Sequence, residues 1–469
     1  MPPAGTHWSP EASRSEGCKP QWEERLSWKE PTEPVRNAGQ GFFPLDEELG
    51  LLPGSLTPLQ QEHLVHLALW VSFPKAVKLL TKLMGVQVSE ATARRQTEEA
   101  GAAYEAVQNE QASQLVEEEE KKSKKGRAKS CQPNTRTLKE PETKVILSND
   151  GAMVPLVGGV WAEVKTVVIG HVKSKETPCK QRPEQQVETV TLSYFSRLTD
   201  AATFGRLATV ETERRGVCQA KEVGAVQDGA EWIQGFVDLH RPDAVRILDF
   251  AHAAGYLGEI AELVRAAGTP LPAEWLAQQL HELKHHGPAA VLKEVTRLLQ
   301  LHPHVPDLDK KVTYLCKREQ HMQYPRYQEA GWPIGSGSVE SANKGVVQAR
   351  LKGAGMHWER SHVNPMLALR TAVCNDQWEQ AWLQACNQRL LQRQERRLLR
   401  QKARWDAALS KLYQLILPLL LLGSPALSKT SHPQPEPPPS QPASCSTAST
   451  TPRRPASDHP WRRRLLAKK

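Results

Sequence analysis

The stretch Lys221–Ala253, KEVGAVQDGAEWIQGFVDLHRPDAVRILDFAHA, leaves few folds open. An apolar run, Val223 to Val226, stops at Asp228-Gly229. A helical segment follows, with Trp232, Ile233, Phe236 and Val237 on one face. A second apolar run, Val245 to Leu248, ends at Asp249, and His252 lies one helical turn on. Strand, acidic turn, helix, strand is the order of a crossover between parallel strands, because parallel neighbours need a long return connection. Polar residues at the C-terminal ends of such strands are where open α/β sheets bind ligands. Two more stretches look built to meet this one: KVILSNDGAMVPL, carrying Asp150, and IGSGSVESANKG, carrying Glu340.

Three runs upstream are β-branched or alternating: KVILSND, WAEVKTVVIGHV (Trp161–Val172) and VETVTLSYFSRL (Val187–Leu198). Gly158-Gly159 separates the first two as a hairpin turn would. Three strands in meander, a helix from Asp200 to about Arg215, a strand to Asp228, a helix and a strand to Asp249 is the order of a ribonuclease H-like fold. In that order the first strand is central and the fourth lies parallel beside it. Asp150 and Asp228 are then expected side by side at one edge of the sheet.

The whole chain has 469 residues, enough for two or three domains. Residues 1–40 lack a sustained period and read as disordered or atypical. Residues 41–105 read as a helical, helix-turn-helix-like DNA-binding domain: Thr57-Pro58 opens one helix, Ser72 a second, and Ser89 a third with Arg94 and Arg95 in its first turns. The plainer reading of this segment is a three-helix bundle with a solvated basic face. Residues 106–140 form a charged linker, 141–252 the first part of the α/β core, and 253–332 an all-α insertion. Residues 333–385 hold the last core helix with Glu340, 386–424 a basic helix, and 425–469 a Pro/Ser/Thr-rich, basic, disordered tail. The expected class is therefore α/β: a ribonuclease H-like catalytic core with an all-α insertion domain and an N-terminal helix-turn-helix-like domain.

Net charge is +9, which favours a polyanionic partner, most simply nucleic acid. Lys344, Arg350, Lys352 and Arg360, interleaved with small residues and Trp358, read as a nucleic-acid track. The eight cysteines include no C-x-x-C pair, which argues against a disulfide framework or a zinc knuckle and fits a reducing compartment. The longest apolar run, Leu415–Leu422, is too short for a membrane span. A soluble, cytoplasmic protein, nucleoid-associated when bound to DNA and without a membrane partner, is expected.

Asp150, Asp228 and Glu340 suit a two-metal phosphoryl-transfer site, because carboxylates offer the oxygen ligands that Mg²⁺ (or Mn²⁺) requires. Each also has an ordinary structural reading. Asp-Gly at a strand end is commonly a turn, and Glu340 would favour a helix N-terminus as any first-turn acid does. Asp249 competes with Asp228 for the second position, giving the alternative set Asp150, Asp249 and Glu340. Asp249 and His252 can instead act as a pair that orients a metal ligand or contacts DNA.

Several long segments carry a resemblance: GFFPLDEELGLLPGSLTP, DGAMVPLVGGVWAEVKTVVIGHV, SYFSRLTD, QDGAEWIQGFVDLHRPDAVRILDFAHA and PIGSGSVESANKGVVQARLKGAGMHW. From about Gly41 to Trp382 the chain resembles bacterial insertion-sequence DDE transposases of the ISKra type, which are themselves similar to Mutator-like enzymes. The resemblance implies Asp150, Asp228 and Glu340 as the catalytic acids holding two Mg²⁺ ions. Asp249 and His252 then match a Cys/Asp-x-x-His signature, and residues 253–332 the all-α insertion. It also implies cleavage and strand transfer on double-stranded DNA, with the element's terminal repeats and the target as partners, by a homo-oligomer on DNA. The alternatives are an inactive or truncated transposase acting only as a DNA-binding protein, and a nuclease without strand transfer. Family members tend to carry cysteine pairs just before the segment matching GFFPLD; here EPVRNAGQ precedes it, an atypical N-terminus.

Overall fold

The computed structural model describes residues 56–124, 144–176 and 185–422. The expectations for residues 1–55, for 125–140 of the charged linker, for 141–143 and 177–184 of the core and for residues 423–469 lie outside the described residues. The chain divides into two compact units, Met1–Leu398 and Leu399–Lys469.

The fold is mixed α/β and mostly helical, around one five-stranded mixed sheet. The strands are β1 (Lys144–Pro155), β2 (Trp161–Glu176), β3 (Gln185–Arg197), β4 (Glu222–Gln227) and β5 (Val245–Leu248). Their order across the sheet is β3-β2-β1-β4-β5. β1, β2 and β3 form an antiparallel meander, and β1–β4 and β4–β5 are parallel. β1 is thus central, as the order of elements in the sequence implies.

Three helices precede the sheet: α1 (Pro58–Trp70), α2 (Phe73–Met84) and α3 (Glu90–Lys124). Local chemistry sets their ends. Thr57 and Gln60 form a capping box, with Gln60 N–H donating to Thr57 Oγ1 (3.3 Å) and Thr57 N–H to Gln60 Oε1 (3.0 Å). Gly85 stops α2 in the left-handed conformation. The Ser89 hydroxyl accepts from Thr92 N–H (3.1 Å) at the start of α3. α3 runs on to Lys124, so the first half of the expected linker is helix. Its buried face, Ala100, Ala103 and Tyr104, continues to Ala112, and apolar burial rather than charge decides that continuation.

β3 leads to α4 (Ala201–Arg214), capped by Asp200, and α5 (Glu231–His240) joins β4 to β5. One sheet face buries Val145, Leu147, Val223 and Ala225 against Phe204 of α4 and Phe236 and Val237 of α5. The other face is covered in two parts. Near β4 and β5, Ile146, Val226 and Ile247 pack under the helices that follow β5: α6 (Phe250–Ala266), α7 (Trp275–His285), α8 (Pro288–Leu301), α9 (Leu308–Cys316) and α10 (Tyr324–Glu329). Toward β2, Ala152, Val154 and Val164 meet α1, α3 and α12 (Arg360–Cys374). α11 (Gly337–Ala342) packs Val339 and Ala342 on Val168 of β2, beside Leu192 and Tyr194 of β3, and runs into a π-helical stretch, Asn343–Gln348, and a final turn, Ala349–Leu351.

The N-terminal helices are fastened to the core by two buried arginines. Arg370 Nε donates to Val346 O (3.2 Å), Nη1 to Leu69 O (3.0 Å), and Nη2 to Gly345 O. Arg350 Nε donates to Ala68 O (2.7 Å). Ala68 and Leu69 end α1, where backbone carbonyls lack helical partners, so the two cations complete the helix's C-terminus. The last helix, α13, starts at Trp378, earlier than the sequence pattern indicates, and reaches Leu422. In the second unit its Trp405, Leu412 and Tyr413 are exposed. No helix among the described residues is long and apolar enough to cross a membrane.

Arg370→Met removes the donors to three backbone carbonyls while keeping much of the side-chain volume. It is expected to destabilise the protein by about 3 kcal/mol, against about 0.5 kcal/mol or less for exposed Arg360→Ala. Urea midpoints of the two variants check this, and a midpoint for Arg370→Met equal to wild type removes the fastening role.

Candidate active site on one row of β1, β4 and β5

The last residue pair of β1 and β4 is Asn149↔Gln227, and the last of β4 and β5 is Gln227↔Leu248. One residue further along each strand, Asp150, Asp228 and Asp249 fall on a single row. Side chains alternate along strands, so all three share the sheet face of Ile146, Val226 and Ile247.

Asp150 Oδ1 accepts from Gly151 N–H (2.7 Å) and Oδ2 from the Asn343 side-chain amide (2.8 Å). Burial pushes its pKa up, and the neighbouring Asp228 carboxylate adds to the rise against the two hydrogen bonds. Asp228 Oδ1 accepts from Ala230 N–H (2.8 Å), an Asx turn that leads into α5. Asp249 is 1% exposed, with Oδ1 accepting from Ser336 N–H (3.0 Å) and Oδ2 from His252 Nδ1 (2.8 Å). Burial works to raise the Asp249 pKa, but the hydrogen bonds from His252 and Ser336 outweigh it and hold it below the usual value. The His252 pKa is raised, chiefly by the Asp249 hydrogen bond, with Asp228 and Asp150 adding their charge.

The all-α segment also grips the Asp228 turn. Tyr314 of α9 donates its hydroxyl to Asp228 O, and Arg318 Nη2 donates to Gly229 O (2.7 Å). The Arg318 guanidinium lies 3.7 Å from the Tyr314 ring centre, and that ring stacks on Tyr256 at 4.0 Å. Gly229 has φ +82°, and a Cβ there would collide with both Arg318 and Tyr314. Burial pushes the Tyr314 pKa up to about 12, so its hydroxyl remains a donor at any working pH.

Asp150, Asp228, Asp249 and His252 therefore come together, whereas Glu340 does not join them. Glu340 is exposed on α11 and pairs with Lys344 at 4.0 Å. It stands one helical turn before Asn343, whose amide touches Asp150. Among the described residues no three His, Cys, Asp or Glu side chains converge closely enough to hold one metal ion. The donors at the row nevertheless have the chemistry of a hard-cation site. Asp150 and Asp228 are carboxylates, Asp228 accepts at one oxygen only, and Asn343 Oδ1 is buried without a hydrogen-bond partner. Asp249, with both oxygens engaged, is placed to orient the site rather than to ligate.

Two residues assigned to a nucleic-acid track lie inside the protein, and that assignment is corrected. Arg350 is buried on Ala68 O, and Trp358 is buried with Nε1 donating to Leu351 O (3.1 Å). Arg94, Arg95, Lys344, Lys352 and Arg360 are exposed. Arg94 pairs with Glu98 at 3.9 Å, and Lys352 lies over the Trp161 ring. Asn343, Ser336, Tyr314 and Arg318 escaped the sequence reading. Asn343 carried a signal, since it follows Glu340 by three residues on the same helical face; the others act through tertiary contacts that no local pattern announces. Compared with protein-family models and with curated proteins, the chain matches none.

A raised His252 pKa means that its ionic pairing stabilises the fold fully below the unfolded value near 6.5 and fades as pH rises through the folded value. Asp249→Asn removes the principal cause, so the His252 pKa is expected to fall. Histidine NMR titration, with the signal assigned by His252→Asn, checks this, and an unchanged pKa would show that Asp249 does not govern the imidazole.

Proposed function

We propose that the chain is a DDE-type transposase with a ribonuclease H-like core, cutting and joining DNA with Mg²⁺ or Mn²⁺. The observation that carries this reading is the row formed by Asp150, within β1 where its pairing with β4 stops, and Asp228, just past the end of β4. The resemblance of five separate segments to ISKra-type transposases supports it, as does the net charge of +9.

Asp150 and Asp228 would hold the cations, with Asn343 Oδ1 as a neutral oxygen donor; Glu340, the third acid that the resemblance implies, would have to leave Lys344 to join them. Divalent cations held there would supply Lewis-acid activation of a water and neutralise charge on the leaving 3′-oxygen. The protein's own contribution is orientation. Asn343 fixes one Asp150 oxygen, Ala230 N–H fixes one of Asp228, and Tyr314 and Arg318 hold the turn beneath Asp228. Asp249 keeps His252 protonated at Nδ1 beside two carboxylates, where the imidazole can receive or deliver a proton at its other nitrogen. The expected partners are terminal-repeat and target DNA, with Arg94 and Arg95 at the start of α3 serving the helix-turn-helix-like segment and Lys344, Lys352 and Arg360 facing phosphate. Two element ends must meet, so a homo-oligomer on DNA is expected.

A second reading is favoured by the Glu340–Lys344 pair, which leaves the third acid turned to a cation of its own helix. On that reading the chain is a DNA-binding protein of transposase type without catalysis.

The two readings part in a cleavage and joining assay on DNA bearing candidate element ends. Wild type should cut and join with Mg²⁺ or Mn²⁺. Asp150→Asn and Asp228→Asn should each lose activity by about a hundredfold or more while still binding DNA. Asp249→Asn, which acts through His252 and Ser336, should lose about 10- to 100-fold. DNA binding without cleavage by the wild type would establish the second reading. A larger loss for Asp249→Asn than for Asp228→Asn would move the second metal ligand to Asp249.

Tyr314→Phe and Arg318→Gln leave every carboxylate in place. Each is expected to weaken Mn²⁺ binding by about tenfold through a loosened Asp228 turn. Calorimetric titration of the metal measures it, and unaltered affinity in both would confine the pair to a structural role.

A further inference from the structure

A second surface lies away from the acid row. β1 and β2 meet in a hairpin whose tip, Val157 to Val160, turns through Gly158 and Gly159 at φ +88° and +77°. The tip is held rigidly. Leu156 N–H donates to Val160 O (2.7 Å), Val157 N–H to Trp358 O (2.9 Å), and Trp358 N–H to Pro155 O (3.1 Å). Yet its side chains are not covered: Met153, Val157, Val160 and Trp161 are all exposed, Trp161 by 52%. Lys352 Nζ stands 5.4 Å from the Trp161 ring centre. Pro155 pairs with Trp161, so the indole lies on the sheet face opposite Asp150, five residues along the strand and roughly 17 Å away by strand rise.

A flat indole held on a fixed hairpin, with apolar neighbours and a cation at its ring, offers two things to a ligand. One is a π-face to stack on and the other is a positive charge for a nearby anion. Unstacked nucleotides present that combination, a base joined to a phosphate. A base inside a duplex is already stacked on both faces and presents only its edges. Exposed Arg360 opens α12 two residues after Trp358, which is tied to the hairpin, with exposed Glu359 between them, and the chain's net charge is +9. Charge complementarity therefore favours a nucleic acid over an apolar protein surface.

We infer that Trp161 and Lys352 form a stacking platform for an unpaired base of a bound DNA strand. The inference rests on the DNA-processing reading for the identity of the nucleic acid, but it involves none of the acids proposed for chemistry.

The test uses the full chain and fluorescence anisotropy at fixed salt, with three labelled probes: a twenty-nucleotide oligothymidine, an abasic strand of equal length, and a duplex of equal length. Trp161→Ala is expected to weaken oligothymidine binding by about 5- to 150-fold, the range that one base–aromatic stack contributes. Trp161→Phe should stay within about threefold of wild type, since a ring remains. Lys352→Gln should lose less, and its loss should shrink as salt rises. On the abasic strand and the duplex, wild type and Trp161→Ala should bind alike. The inference is overturned if wild type does not bind oligothymidine, if Trp161→Ala binds it as wild type does, or if the loss is equal on the abasic strand. It is also overturned if Trp161→Ala instead abolishes self-association or binding to anionic vesicles. Absence of metal-dependent cleavage with the stacking effect intact would sink the catalytic reading and leave the platform standing.

Discussion

The parallel pairing of β1 with β4, and of β4 with β5, is the constraint on which the site depends. Three acids from separate parts of the chain meet only because these ladders keep Asn149, Gln227 and Leu248 in step. A slip of one residue would turn an entire strand's side chains to the other face. The register is pinned from within by the Ser148 hydroxyl donating to Val226 O (2.9 Å) and by Asp249 N–H donating to Gln227 O (2.8 Å). It is pinned from outside by burial on both faces, under α4 and α5 on one and under the helices after β5 on the other. A sheet covered on both sides has no solvent face to which a shifted strand could turn.

This is why so much of the sheet was legible. The run VRIL ends at an acid as the pattern indicates, and Gly158-Gly159 marks a hairpin that the structure contains, whereas β1 runs on past Asp150 to Pro155 because its pairing with β2 continues. The row of acids follows from the order of elements once β1 is central. The basic and aromatic residues after Glu340 were harder. Lys, Arg and Trp in alternation have the same composition whether they face DNA or fill a seam, and Arg350 and Trp358 fill one. What turns Arg350 inward is the open end of α1, whose carbonyls need donors, and α1 lies far away in sequence. Tyr314 and Arg318 were illegible for the same reason: their partners are backbone oxygens of the Asp228-Gly229 turn, which present no side-chain signature.

Electrostatics divides the labour along the row. Three neighbouring carboxylates cannot all be comfortable as anions in a half-buried site. Asp249 is relieved by His252 and Ser336, which hold its pKa below the usual value. Asp150 has an amide, a backbone N–H and the charge of His252, but burial and Asp228 outweigh them and drive its proton affinity up. The acid least compensated is the one on the central strand, and a bound cation would relieve it most. The unpartnered Asn343 oxygen beside it points the same way, because a buried oxygen without a donor is costly unless something electropositive arrives.

The N-terminal helices change what DNA binding would mean for such a site. A recognition module on a flexible tether can find its sequence without dictating where the cut falls. Here α1 is stapled by Arg350 and Arg370, and α3 buries Ala100, Ala103 and Tyr104 in the same core that receives Val154 and Val164 of the sheet. If Arg94 and Arg95 hold an element end as proposed, the distance from that contact to Asp150 is set by packed side chains. Cleavage would then occur at a fixed offset from the recognised sequence, and weakening the staples would blur that offset before it abolished binding.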